Sequence, residues 1–389
     1  MTTTRLAFIS FAHGHAGIYC RALADRDDVE LVSCWDDDTE RGQRNAEEFG
    51  IHFHTDIDAL LTDASIDTVL INSETNRHAG FVERPASAGK NVLLQKSMAT
   101  SLADCDRIIA AVKESGIRFS MAYQMRHDPA NNKIRELLAE NAVGKVAMMR
   151  RRHSISVLLN PDFVNGPSRW HFDPQANIGM FFDDASHPAD WLYSLFGMPV
   201  SVSAEIDAII SDVAPDDNGV AIFRFARGEM VVLLNSSTTL AAVSTTEVYG
   251  DQGTIVHDYG DDPSTSAPRD PHAVPLRLLR KGAEQWEEFP IAIPASHAER
   301  IGPFHWLLSN ICAATKAVPS APSRAALRSR WCWGLISRRV KDGACCSPYK
   351  GNRAPSVARD CLYQCFSSMM VLPLGSTRNV KRPAPPLPG

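Results

Sequence analysis

Leu6-Ala7-Phe8-Ile9-Ser10-Phe11 is a compact apolar run, and Ala12-His13-Gly14-His15-Ala16-Gly17 carries the chain from it into a stretch of helical spacing, residues 16–25. Strand, tight turn and helix in that order open a dinucleotide-binding fold, where backbone must approach a pyrophosphate at a helix N-terminus. Such a turn asks for glycine at three crowded positions. Here they hold Ser10, Ala12 and His15, with Gly14 and Gly17 close by but out of phase. Ser10 and Ala12 are small enough to keep the approach open at some steric cost.

The next segments strengthen the reading. Val29–Trp35 is a second apolar run and ends in Asp36-Asp37-Asp38. A carboxylate about 20 residues past the turn is where a ribose 2′-hydroxyl is bound. Asp36 takes that position, and with Asp37 beside it a 2′-phosphate is repelled, which favours NAD over NADP. The plain alternative is an acidic turn that caps a helix. Thr39–Phe49 is that helix, with Thr39 as the expected N-cap and Gly50 as its stop. Further helices are expected at 56–61, 78–88 and Leu102–Ser115, and strands at 68–72, Asn91–Leu94 and 118–122. Buried strands alternating with helices predict a doubly wound parallel sheet over residues 1–125.

From about Met125 the pattern changes. A helix at 129–140 leads to strand-like segments at 146–157, 201–210, 219–224, Met230–Ser236 and 246–249, the third and fourth joined by the hairpin signal Ala226-Arg227-Gly228-Glu229. Strands that follow one another without helices predict a mostly antiparallel sheet in a second, α+β domain, residues 126–325.

Composition excludes other classes. The 389 residues are 44% hydrophobic and 22% charged, which rules out a disordered chain, a collagen-like repeat or a small disulfide scaffold. A net charge of −5 gives no basic field for nucleic acid or an anionic membrane. No apolar run approaches the roughly 20 residues of a membrane helix, and the start reads as a strand, not a signal peptide. The expectation is a cytoplasmic protein with no membrane or nucleic-acid partner.

The last stretch, 326–389, breaks the pattern. Residues 330–389 hold five of the nine cysteines, ten basic residues and two acidic ones, so they carry +8 against −13 for the rest. A zinc site from Cys345, Cys346, Cys361 and Cys365 lacks paired C-x₂-C spacing, so no metal is expected. A nucleic-acid-binding tail lacks interleaved aromatic and basic residues. A change of reading frame near 323–330 accounts for the abrupt loss of Glu and gain of Cys, Trp and Arg.

Three residues outside the turn carry chemistry. Lys96, in Leu94-Gln95-Lys96-Ser97, follows a strand at the carboxyl edge of the parallel sheet, where ligands bind. Asp183 and His187 are spaced i, i+4 on one helix face, with Asp190 a turn beyond. Oxidising a secondary alcohol takes a hydride acceptor and a base for the hydroxyl proton, and His is the side chain poised for that near neutral pH. A neighbouring Lys and carboxylate orient the hydroxyl and tune the His. The alternative is a surface helix that happens to carry a His and acids.

The chain resembles the glucose–fructose oxidoreductase, inositol dehydrogenase and rhizopine-catabolism (Gfo/Idh/MocA) family over about residues 5–325. The likeness rests on the opening strand–turn–helix, Asp36 with Glu40-Arg41, the segment 88–101 around Gln95-Lys96-Ser97, Tyr123-Gln124-Met125-Arg126, the Asp183…His187…Asp190 helix and the segment 247–254. The family's Glu-Lys-Pro signature stands here as Gln95-Lys96-Ser97, the lysine kept and its flanks changed. The resemblance implies an NAD-dependent dehydrogenase of a ring alcohol: a sugar, a cyclitol or the dihydrodiol of a ring carboxylic acid. It makes His187 the acid–base, Asp183 a partner of the reacting hydroxyl and Lys96 a bridge between substrate and nicotinamide. Ser10, Ala12, His13, Gly14, His15, Asp36, Ser73, Glu74, Thr75 and Gln95 are then the expected cofactor contacts, with Arg126 and Trp170 on the substrate. His78 matches a family histidine of structural role. Arg126, Arg151, Arg152, Arg169, Trp170 and His171 either line a pocket whose arginines suit a carboxylate or a phosphate, or the arginines are surface charge on one strand face. The same fold also serves non-catalytic NAD(P)-sensing regulators, which is the alternative reading, and a homo-oligomer through the sheet domain is expected.

Overall fold

The computed structural model describes residues 3–24, 26–260, 270 and 272–301; the tail 326–389 and the change of composition at 323–330 lie outside the described residues. Six strands form the first sheet: β1 (Thr4–Ile9), β2 (Val29–Trp35), β3 (His52–Phe53), β4 (Thr68–Ile71), β5 (Asn91–Leu94) and β6 (Phe119–Met121). All pair in parallel, in the order β3-β2-β1-β4-β5-β6. This is the doubly wound arrangement, and the order reverses between β1 and β4, where such sheets open a ligand crevice. Every residue of β4 is buried, as a strand covered on both faces by helices must be.

The helices are α1 (His15–Ala24), α2 (Thr39–Phe49), α3 (Ile57–Thr62), α4 (His78–Ser87) and α5 (Leu102–Ser115). Gly50 and Gly116 end α2 and α5 at φ 65° and 67°, the left-handed conformation that glycine adopts without penalty. One cap differs from expectation. Asp38 caps α2, accepting from the Arg41 N–H at 3.0 Å, and Thr39 is the first helical residue. A carboxylate is the stronger acceptor at a helix start, where the dipole favours negative charge.

The second sheet has eight strands: β7 (Val146–Ser154), β8 (Ser201–Asp207), β9 (Asn218–Arg224), β10 (Met230–Ser236), β11 (Ser244–Gly250), β12 (Gly253–Asp258), β13 (Leu276–Arg280) and β14 (Glu287–Phe289). Its order is β14-β13-β12-β11-β7-β10-β9-β8, antiparallel throughout except β7 with β10. The hairpin read at 226–229 joins β9 to β10, with Gly228 at φ 101°. Strands β12 to β14 extend the sheet beyond the segments recognised in the sequence.

Helix α6 (Pro129–Ala139), the short α7 (Pro161–Asn165) and the long α8 (Met180–Phe196) accompany this sheet. Phe181, Phe182, Ala185, Ala189 and Leu192 of α8 pack on Phe223, Val231, Leu233 and Val248 from the sheet's inner face. The chain then returns: α9 (His297–Ile301) places Ile301 in the core of the first sheet, beside Leu6, Phe8 and Tyr19.

Candidate active site

Lys96 leaves the end of β5 and crosses to α8. Its Nζ lies 2.7 Å from Asp183 Oδ2, and both side chains are only 4% exposed. Asp183 is held from two further directions: His171 Nδ1 lies 3.2 Å from Oδ2, and Asn177 Nδ2 donates to Oδ1 at 2.7 Å. Burial opposes ionisation of Asp183, but the Lys96 ammonium and His171 outweigh it and hold the carboxyl well below the usual carboxylate range. The ion pair therefore ties the two sheets' domains together inside one cavity.

His187 sits one turn along α8 on the same face, buried, its ring 6.0 Å from that of His153 on β7 and 6.1 Å from Tyr123. Its Nδ1 has no hydrogen-bond partner among the described residues. Burial, with the charge of Lys96 and the neighbouring His153, lowers its pKa well below the ordinary value, so the imidazole is neutral at neutral pH. Asp190, expected beside it, turns away. It makes a two-pronged ion pair with Arg126, 2.6 Å on each prong, so it holds the 3₁₀ turn Gln124–Arg126 against α8 rather than tuning His187.

Next to Asp183, Asp184 accepts from Ser237 Oγ at 2.9 Å. Burial and the Asp183 charge push its pKa up to about 8, so this carboxyl is protonated at neutral pH.

The turn after β1 meets the requirements of a dinucleotide site in its own way. Ser10 adopts φ 67°, the conformation for which glycine is the default. His13 N–H donates to the Asn72 carbonyl and His15 N–H to His13 Nδ1 at 3.1 Å, while the Gly14 N–H has no partner among the described residues. A Cβ at Gly14 would meet nothing within 4 Å, and Gly14 and His15 line the same cavity as Lys96. Gln95 points back at the turn, its Nε2 2.9 Å from His15 Nδ1 and 3.3 Å from both His13 Nδ1 and Tyr19 Oη. Trp170 Nε1 donates to the Ala12 carbonyl at 3.2 Å, which docks the second domain on the same turn.

Asp36 ends β2 as predicted, but its carboxylate is fully engaged. It accepts from the Phe11 and Asp38 N–H groups and from Arg41 Nε and Nη2, at 2.6–3.0 Å. Those four bonds fill a carboxylate's acceptor sites. Asp37 pairs with Arg77 and Arg41. Ser73, Glu74 and Thr75 follow β4 at the crevice, with Ser73 and Thr75 buried. His78 bonds the carbonyls of Ser97 and Ser73, joining two loops.

The remaining arginines do not form a pocket. Arg151 is 1% exposed, donating to Thr246 Oγ1 and lying 5.0 Å over the Trp191 ring. Arg152 donates to the Ser244 and Ala242 carbonyls, and Arg169 lies over Phe172. Neither Arg126 nor these three line the cavity of about 400 Å³ that holds Lys96, Asp183 and His187. His153, His297 and Arg300 do, and sequence reasoning passed over them. His153 sits unremarked beside a run of arginines, and residues 297–300 reach the site only through the chain's return.

The comparisons agree with this architecture. Residues 14–123 match the oxidoreductase-family model with an NAD-binding Rossmann fold, and residues 131–256 match the GFO/IDH/MocA C-terminal domain model. The 1,5-anhydro-D-fructose reductase of Ensifer adhaerens is 27% identical over 58% of this chain and 68% of its own length. A myo-inositol 2-dehydrogenase of Thermotoga maritima is 26% identical over 62% and 71%. The WlbA dehydrogenase of Bordetella pertussis, solved with NADH and UDP-GlcNAcA, shares the fold with a TM-score of 0.67 at 20% identity, covering 88% of this chain and 97% of that one. The turn at the helix N-terminus, the lysine at the sheet's carboxyl edge and the two matching domain models together make this chain an NAD(P)-binding oxidoreductase of the Gfo/Idh/MocA family.

Proposed function

We propose that the chain is an NAD-dependent dehydrogenase that oxidises a secondary alcohol on a ring substrate, a sugar, a cyclitol or a dihydrodiol. One observation carries the reading: a buried Lys96–Asp183 pair and a neutral His187, whose Nδ1 has no partner among the described residues, share a cavity at the carboxyl edge of the parallel sheet. The names of the two relatives, one acting on an anhydro sugar and one on a cyclitol, support the substrate class.

The cofactor fits the residues present. Ser10, Ala12, His13 and Gly14 form the turn that leads into α1 at His15, and His13, Gly14 and His15 line the cavity at that helix N-terminus. Asp36 and Asp37 at the end of β2 disfavour a 2′-phosphate, which supports NAD. Ser73, Glu74, Thr75 and Gln95 border the crevice at the strand ends.

NAD held by these residues would supply the acceptor for the hydride that leaves the substrate carbon. His187 takes the hydroxyl proton as that C–H bond breaks and the carbonyl forms. Lys96 donates to the hydroxyl oxygen and stabilises the charge that develops on it. Asp183, anchored by His171 and Asn177, fixes the lysine and accepts from the hydroxyl in the ground state. Trp170 keeps the two domains closed on this crevice.

The domain boundaries read from the sequence, 1–125 and 126–325, belong to this proposal, as do a cytoplasmic location and a homo-oligomer formed by the open sheet face. No described helix is long and apolar enough to cross a membrane. The test is NADH formation by the full chain with NAD across sugars, cyclitols and cis-diols. Turnover with one class supports the dehydrogenase; tight NADH binding without turnover on any of them favours a cofactor-sensing regulator.

A further inference from the structure

Two donors converge on one nitrogen of His13. Its Nδ1 lies 3.1 Å from the His15 N–H and 3.3 Å from Gln95 Nε2. Gln95 Oε1 accepts from the Lys96 N–H at 3.0 Å, so the amide nitrogen is the end that faces the turn, and it donates. His13 Nδ1 is therefore bare, and the ring's hydrogen sits on Nε2. That Nε2 is buried and has no partner among the described residues, in a side chain that lines the cavity and is 3% exposed.

The His15 N–H is the first of α1, at the positive end of the helix dipole. In a dinucleotide fold such N–H groups bind the pyrophosphate. Here an imidazole nitrogen already holds the first of them. An anion that accepts this N–H must displace Nδ1, and the displaced nitrogen is a base at its side. The surroundings decide the charge of that ring. It faces His15 on α1, Gln95 and Lys96 after β5, Trp170 and His171 on the segment before α8, and His187 on α8. The Asp183 carboxylate is engaged by Lys96 and His171, and Asp184 beside it is protonated at neutral pH. Burial, then His15, His171, Lys96 and His187, hold the His13 pKa well below its ordinary value. The negative charge of a pyrophosphate acts the other way.

Resting on the NAD site of the proposed function, we propose that His13 is a proton-exchanging cap of α1. It yields the His15 N–H to a pyrophosphate oxygen of the cofactor and takes a proton from solvent on Nδ1, so that NADH binds with proton uptake. Gln95 keeps its shorter bond, 2.9 Å to His15 Nδ1, and so holds the turn while His13 changes partner. By linkage, NADH affinity is greatest at low pH and falls as pH rises through the pKa that His13 has in the complex.

The experiment is calorimetry of NADH binding to the full chain at pH 6.5, run in two buffers of different protonation enthalpy, with the dissociation constant followed from pH 6 to pH 8. The parent should take up about half a proton or more per NADH, and its dissociation constant should rise about threefold or more across that range. His13→Asn offers Oδ1 to the same His15 N–H without titrating, and should bind NADH with no uptake and a flat pH dependence. His187→Asn should keep the uptake. In the parent, proton–nitrogen correlation spectra of the histidine rings should show one Nδ1 pass from bare to protonated when NADH is added. Uptake that persists in His13→Asn, or is lost in His187→Asn, overturns the proposal by assigning the proton to another imidazole. A buffer-independent enthalpy in the parent, or no Nδ1 that gains a proton, overturns it as well. Those failures leave the dehydrogenase reading standing. Uptake through His13 without turnover of any alcohol does the reverse, and a chain that does not bind NADH removes both.

Discussion

Lys96 and Asp183 lie 87 positions apart in sequence and 2.7 Å apart in space, both out of water. Breaking a buried pair strands one charge, at a cost of about 3–5 kcal/mol. Lys96→Met should lower the melting temperature by several degrees and cut kcat by roughly a hundredfold or more. His187→Asn should cut kcat comparably through loss of the base while leaving the melting temperature and NADH affinity near those of the parent. Near-normal turnover in both variants would remove them from the chemistry. At the ribose end, Asp36→Ser frees Arg41 and should narrow the preference for NAD over NADP by roughly tenfold, about 1.4 kcal/mol; an unchanged ratio of dissociation constants would take Asp36 out of that discrimination. Asp184 gives a pH signature. Its folded pKa of about 8 lies above the 3.8 of a free Asp, so its contribution is fully present below pH 3.8 and is lost as pH rises to about 8. Asp184→Asn keeps a partner for Ser237 and should flatten that decline in denaturant midpoint between pH 4 and pH 8.

Among the elements, α8 decides the site. Its N-terminus has no cap of its own: the Phe181 N–H donates to Asp216 Oδ1 at 2.6 Å, from the loop before β9. Gly179 precedes the helix because a Cβ there would stand 2.2 Å from Asp216 Oδ2. Gly179→Ala should therefore cost about 1–3 kcal/mol and raise KM as Asp183 shifts from Lys96; unaltered stability and KM would separate the cap from the site. Helices with clear punctuation were legible in sequence. Gly50 and Gly116 stop α2 and α5, and Leu102–Ser115 has the bounds its periodicity predicts. Strands β12 to β14 were missed although each pairs with its neighbour in sequence, because runs of six, five and three residues leave little room for a recognisable apolar alternation.

On the scale of the whole molecule, the second sheet shows one face to α8 and leaves the other open. Val220 and Ile222 on β9 are 37% and 39% exposed, with Met148 on β7 and Tyr249 on β11 at 38% and 36%. The register places Val232 beside Ile222 and Leu234 beside Val220, so the apolar surface runs across β10 and β9, with Arg150 and Arg152 of β7 along its border and Met148 beside Met230. A contiguous patch of this kind marks an association surface. Ile222→Asp should halve the mass seen by sedimentation without changing the circular dichroism; a parent chain that sediments as a monomer would end the proposal.

The sequence alone determined the parallel sheet and the antiparallel sheet after it, and it singled out Lys96, Asp183 and His187, to which the proposed function assigns the chemistry. Those are local properties: strand hydrophobicity, helix punctuation, and i, i+4 spacing on one face. Tertiary structure decided which charges meet. It gave Asp190 to Arg126 instead of His187, saturated Asp36 with Arg41, buried Arg151 against Trp191, and carried His297 and Arg300 back to a cavity at Lys96, more than 200 residues upstream of them in the chain. Charge pairing depends on distance through space and on burial, and neither is written in the spacing of residues along the chain.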